Sequence, residues 1–121
     1  MIVHKSPTCG CCGKWIDHMR SAGFDVETYD KDDMLSIKTR FGIPADKGSC
    51  HTAEVDGYVI EGHVPAEDVK RLLATRPQAR GLALPGMPAG SPGMEMPAGG
   101  TQPYVVELIE DGGGTRPFAR H

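Results

Sequence analysis

Three cysteines within four positions, Cys9-Gly10-Cys11-Cys12, are the first residues of this 121-residue sequence that could do chemistry. A thiolate is both a nucleophile and a soft metal donor. Its pKa falls at a helix N-terminus, where backbone N–H groups and the positive end of the helix face it. Cys9 and Cys12 have the C-x-x-C spacing of a dithiol redox pair. Cys11 is the departure, because a third thiol beside such a pair invites misdirected exchange. The run is better explained as soft donors converging on one point, and thiolates so placed select Cu(I), zinc or an iron–sulfur cluster. Cys50, His51 and His63 are the further candidate donors. Two disulfides would use the same four cysteines structurally, with Cys9–Cys12 plus Cys11–Cys50 the obvious scheme. A structural zinc site is another alternative, although four-cysteine sites usually show two separated C-x-x-C pairs.

A second chemical feature lies toward the C-terminus. From Gly86 to Gly100 the chain has five Gly and three Pro, and Met87, Met94 and Met96 fall within it. That composition holds neither a helix nor a central strand, so an extended loop is expected. Thioether sulfur is uncharged, soft and unable to form a disulfide, so it can bind Cu(I) where thiols are oxidised. The plainer alternative is a loop that buries flexible Met side chains against the domain. Met19 and Met34 sit at helical core spacing and are read as packing, while His4, His18 and His121 receive no role.

The elements that must position these residues follow from periodicity. A strand over Met1 to Lys5 precedes a helix with Trp15, Ile16 and Met19 on one face, ended by Ala22-Gly23. Phe24, Val26 and Thr28 then alternate with polar residues, as in a strand with one buried face. A second helix is expected from Asp32 to Phe41, with acidic residues in its first turn and Gly42 as its stop. Thr52 to Val55 and Tyr58 to Glu61 flank Asp56-Gly57, the signature of a hairpin with a type I′ turn. Pro65 suits the first position of a third helix carrying Val69, Leu72 and Leu73, which Pro77 ends. The order βαβα-ββα predicts an α/β fold of thioredoxin-like type with a mixed four-stranded core sheet. One domain, 1–121, is expected: a core over 1–77, a Gly/Pro/Met-rich loop over 78–103 and a C-terminal strand extension over 104–121. In such a fold the segment before the hairpin packs against the C-x-x-C and usually carries a cis-proline. Here it reads Gly48-Ser49-Cys50-His51-Thr52, so two potential ligands stand where the fold normally keeps metals out. The loop holding His63 should approach the same helix end.

Composition excludes other classes. The net charge is −3 and the pI about 5.9, so no basic field invites nucleic acid or an anionic membrane. No stretch approaches the ~18–20 apolar residues that span a bilayer, so membrane insertion is not expected. Strand-like sequence begins at once, with no signal peptide before it, so an exported protein would have lost a targeting segment.

Four motifs in order carry a resemblance: Ser6-Pro7-Thr8-Cys9-Gly10-Cys11-Cys12-Gly13-Lys14-Trp15, Ser49-Cys50-His51-Thr52-Ala53, Gly57 to Ala66, and Gly81 to Glu95. The chain resembles the CopG-type copper-resistance family of thioredoxin-like metal-binding proteins, over nearly its whole length from Val3 to about Ile109. The resemblance implies a periplasmic protein of bacterial copper handling, whose C-x-C-C site holds several copper ions bridged by cysteine sulfur. It further implies linkage to a copper exporter or periplasmic copper chaperone, and a role in changing the copper oxidation state. Carried over by position, the ligands are Cys9, Cys11, Cys12 and Cys50, with His63 and the methionines of the Pro-Gly-Met segment as secondary candidates. The reading is of a monomeric copper-binding protein, with thiolates holding Cu(I) and histidine nitrogens, better suited to Cu(II), allowing Cu(I)/Cu(II) interconversion. Its rival is a thiol–disulfide oxidoreductase with Cys9 as nucleophile and Cys12 as resolving thiol.

Overall fold

The elements come in the order strand, helix, strand, helix, two strands, helix, three strands. They are β1 (Ile2–Lys5), α1 (Gly10–Ser21), β2 (Glu27–Asp30), α2 (Met34–Arg40), β3 (His51–Val55), β4 (Tyr58–Gly62), α3 (Ala66–Thr75), β5 (Gly81–Leu84), β6 (Val105–Ile109) and β7 (Thr115–Arg120). The computed structural model describes residues 1–5, 10–30, 33–43, 51–84, 91–92, 103–112 and 114–121, with Cys11 and Leu35 by backbone alone.

All seven strands join one mixed sheet in the order β2-β1-β3-β4-β5-β6-β7. The pairs β1–β2 and β4–β5 are parallel and the rest antiparallel. The period of two along each strand divides the core. Val3, Ala53, Ile60, Leu82 and Leu108 face Trp15, Ile16 and Met19 of α1 and Val69 and Leu72 of α3. On the opposite face Val59, Ala83 and Ile109 pack with Ile43 and Phe41, which follow α2. The hairpin turn is as expected, with positive φ at Asp56 (48°) and Gly57 (86°).

Three expectations need correction. The sheet is not four strands with an extension, because Gly81–Leu84 falls in the stretch expected as loop and pairs in parallel with β4. A Gly at its first position made the segment look like loop, yet only Gly fits: a Cβ there would lie 1.7 Å from the Val59 carbonyl oxygen. Strand β2 begins at Glu27 rather than Phe24, and all four of its residues are exposed. The Phe24 N–H bonds back to the Met19 carbonyl (3.1 Å), so Phe24 closes the turn that ends α1, and residues 24–26 connect it to β2. Pro65 is the N-cap of α3 rather than its first helical residue, and it offers no side-chain cap.

Replacing Gly81 with Ala should destabilise the fold by at least about 1–3 kcal/mol, the usual cost of overpacking. Gly112→Ala, which meets nothing within 4 Å, should stay within about 0.5 kcal/mol of the parent. Urea unfolding of the two variants checks the contrast.

Candidate metal centre

The first turn of α1 presents its backbone N–H groups without a neutralising acidic side chain, since none lies there. This is the environment that lowers a thiol pKa. Cys12, the third residue of the helix, is fully buried and takes part in a disulfide. Cys9, Cys50, Met87, Met94 and Met96 lie outside the described residues, as does the side chain of Cys11.

The described part of the centre is a pair of buried imidazoles. His51 opens β3 and His63 follows β4, so the hairpin carries them at one end, and neither is exposed to solvent. Their ring centroids are 5.2 Å apart. His51 also lies against Trp15, with centroids 4.3 Å apart. Gly62, at φ 83°, makes the turn out of β4 that delivers His63 inward.

Both rings are oriented by backbone carbonyls. His63 Nδ1–H donates to the Pro92 carbonyl at 2.5 Å, which leaves the lone pair on Nε2. His51 is bonded to the backbone of Gly62; this bond favours the protonated ring, so the ring is its donor. Burial pushes the His51 pKa down to about 3, helped by the positive charges of His63 and Lys38 and opposed by the Gly62 bond. A neutral imidazole with one nitrogen fixed by a carbonyl is the arrangement of metal-ligating histidines.

Two contacts tie α1 to the chain around His63. Trp15 Nε1–H donates to the Val64 carbonyl (2.9 Å), and His18 Nε2 accepts the Ala66 N–H (3.1 Å). His18 thus supplies from another helix the cap that Pro65 lacks at the start of α3. Behind the imidazoles, on the other sheet face, Glu61 is fully buried. It accepts the Thr52 hydroxyl (2.6 Å) and pairs with Lys38 of α2, whose ammonium also reaches Thr52 (3.1 Å).

The sequence-predicted residues therefore divide. The structure brings His51 and His63 together, and both lie close to α1, the helix of Cys12. Trp15, His18, Glu61 and Lys38 were not foreseen as parts of this site, and only the buried position of Glu61 in a hairpin strand signalled any of them. Met19 is buried as expected, whereas Met34 is half-buried. His4, in β1, is buried and bonded to Glu54 (2.8 Å). His121 forms a second cluster with Glu67 and Asp68, remote in sequence from the cysteines.

Comparison with known proteins adds identity to this geometry. A family model described as "Protein of unknown function, DUF411" matches residues 47–94, a segment that includes both histidines. Two solved structures of a copper resistance protein CopG, Form 1 and Form 2, each align with a TM-score of 0.93 and 42% identity. Each alignment covers 99% of this chain and 94% or 95% of the other. A search among curated proteins finds no match.

The burial of His51 predicts acid sensitivity. Below pH 6.5 the unfolded residue takes up a proton, whereas the folded ring stays neutral to about pH 3. Stability is fully present above that window and is lost as pH falls through it, by about 1.4 kcal/mol per unit. Denaturant unfolding should therefore show His51→Gln losing stability less steeply than the parent between about pH 6 and pH 4.

Proposed function

The chain belongs to the CopG copper-resistance protein family, and from that premise we propose that it serves copper resistance by binding copper where α1 meets the hairpin. The observation that carries this reading is the pair of buried, carbonyl-oriented imidazoles beside the helix of Cys12. Cys9, Cys11, Cys12 and Cys50 supply thiolates for Cu(I), in a cluster bridged by sulfur, and His51 and His63 supply nitrogen. Peptide geometry supports the inclusion of Cys50. It immediately precedes His51, whose ring touches Trp15 three residues beyond Cys12, and adjacent Cα atoms are about 3.8 Å apart. The thioethers of Met87, Met94 and Met96 join as uncharged soft donors. In support, the Pro92 carbonyl, two residues before Met94, is bonded to His63.

Because Cys12 is in a disulfide, its sulfur becomes a ligand only after two-electron reduction to the thiol and loss of a proton. Copper uptake is thereby coupled to thiol redox state, and mixed sulfur and nitrogen donors serve both Cu(I) and Cu(II). Fold and compartment enter the same reading: a thioredoxin-like protein of the periplasm, where disulfides persist, exchanging copper with an exporter or copper chaperone. Among the described residues, no helix is long and apolar enough to cross a membrane.

The Cys12 disulfide favours a second reading, a thiol–disulfide oxidoreductase with Cys9 attacking and Cys12 resolving. Titrating Cu(I) into the reduced protein separates the two. Copper binding predicts thiolate–copper absorbance at one or more equivalents, abolished in a Cys9→Ser, Cys11→Ser, Cys12→Ser variant. Disulfide-reductase turnover that survives Cys11→Ser and Cys50→Ser with a chelator present would establish the oxidoreductase instead.

A further inference from the structure

A second set of donors is built at the far end of the chain. Asp68, in the first turn of α3, is buried, and its Oδ2 lies 2.7 Å from His121 Nε2. Glu67, beside it, projects into solvent with Oε1 3.7 Å from His121 Nδ1. One ligand atom from each residue lies within 4.8 Å of the others.

The imidazole is held in place from three sides. Tyr104 N–H donates to the His121 carbonyl (3.1 Å) and His121 N–H donates to the Tyr104 carbonyl (2.9 Å), extending the β6–β7 ladder to this residue. The two rings also stack, with centroids 4.9 Å apart and planes 23° from parallel. Only 22% of the His121 side chain is accessible, so its nitrogens meet the carboxylates in a fixed pose. This nitrogen and oxygen set is drawn from two places remote in sequence, the first turn of α3 and the residue that follows β7. Burial raises the Asp68 pKa against the lowering bond from His121, and Glu67 adds to the rise. A carboxylate in that position gains from a bound cation.

We propose that Glu67, Asp68 and His121 form a second metal site, for a divalent cation of borderline hardness, Cu(II) foremost. One imidazole and two carboxylates are the donors such a cation prefers, and they contrast with the soft thiols of the first centre. A cation seated between His121 Nε2 and Asp68 replaces the proton they share, which moves to Nδ1 or to water. Bonds of about 2.0–2.2 Å allow facing donors up to roughly 4 Å apart. The exposed stem of Glu67 therefore needs to close by less than about 1 Å to complete the set. Tyr104 stacks behind the ligand as a positioning residue. The site does not depend on the thiol reading, since it shares no residue with that centre.

The test adds Cu(II) to the oxidised full-length chain and records its electron paramagnetic resonance, with pulsed measurement of imidazole nitrogen coupling. One component with a single coupled imidazole is expected, unchanged in His51→Gln and in His63→Gln. It should disappear in His121→Gln, whose folding is checked by thermal unfolding, and Asp68→Asn should weaken it by roughly tenfold or more. A single-imidazole component that persists in His121→Gln, or one that vanishes in His63→Gln, overturns the second site, as does the absence of any such component. Loss of Cu(I) binding in the cysteine variant would leave this result untouched, so failure of either proposal is distinguishable.

Discussion

Burying an imidazole in a protein interior disfavours its charged form and requires that its N–H find a partner. This chain buries two of them 5.2 Å apart at one end of a hairpin, and much of the surrounding structure answers that requirement. Carbonyls of Gly62 and Pro92 take the ring protons. Trp15 packs against the His51 ring, and both side chains are fully buried. The consequence is a rigid pair of nitrogen donors whose tautomers are set before any metal arrives.

The two sheet faces share the work of positioning. Consecutive residues in a strand point to opposite faces, so His51 and Thr52 look in opposite directions, as do Glu61 and its neighbours in β4. The Lys38–Thr52–Glu61 network can therefore brace the ends of β3 and β4 from behind while α1 packs in front. A buried ion pair is an expensive way to gain stability, because both charges lose their water. Here Thr52 satisfies a second carboxylate oxygen, and the pair fixes α2 across the strands that carry the imidazoles. Its contribution is better understood as register than as energy. On the front face, Trp15 and His18 grip the chain on either side of Pro65. Helix α1 thus holds the cysteine end and the His63 end in one frame.

Much of this was legible in the sequence because local signals agreed with the fold. Asp56-Gly57 between two apolar runs specifies its own turn, and Trp15, Ile16 and Met19 specify one face of α1. The pairing of His51 and His63 was also legible, since a hairpin returns residues before its first strand and after its second to the same end. What escaped was set by tertiary context. Strand β5 contains a Gly that reads as loop, and the reason for it is the Val59 carbonyl on a neighbouring strand. His18 looked like a surface residue because the N–H it caps belongs to another helix. His121 looked unimportant because its partners lie some fifty positions earlier, at the start of α3.

The donor chemistry explains why sulfur alone would serve the proposed centre poorly. Thiols are strong ligands only when reduced and deprotonated, and Cys12 in a disulfide is neither. Imidazole nitrogen undergoes no such oxidation, and thioether sulfur forms no disulfide. A site that combines the three donor types retains some affinity for copper when its cysteines are oxidised and gains more when they are reduced. Pro92, in the stretch between Met87 and Met94, is bonded through its carbonyl to His63. Thiolates favour Cu(I) and imidazole nitrogen favours Cu(II), so in the proposed centre a mixture of the two donor types would suit both oxidation states.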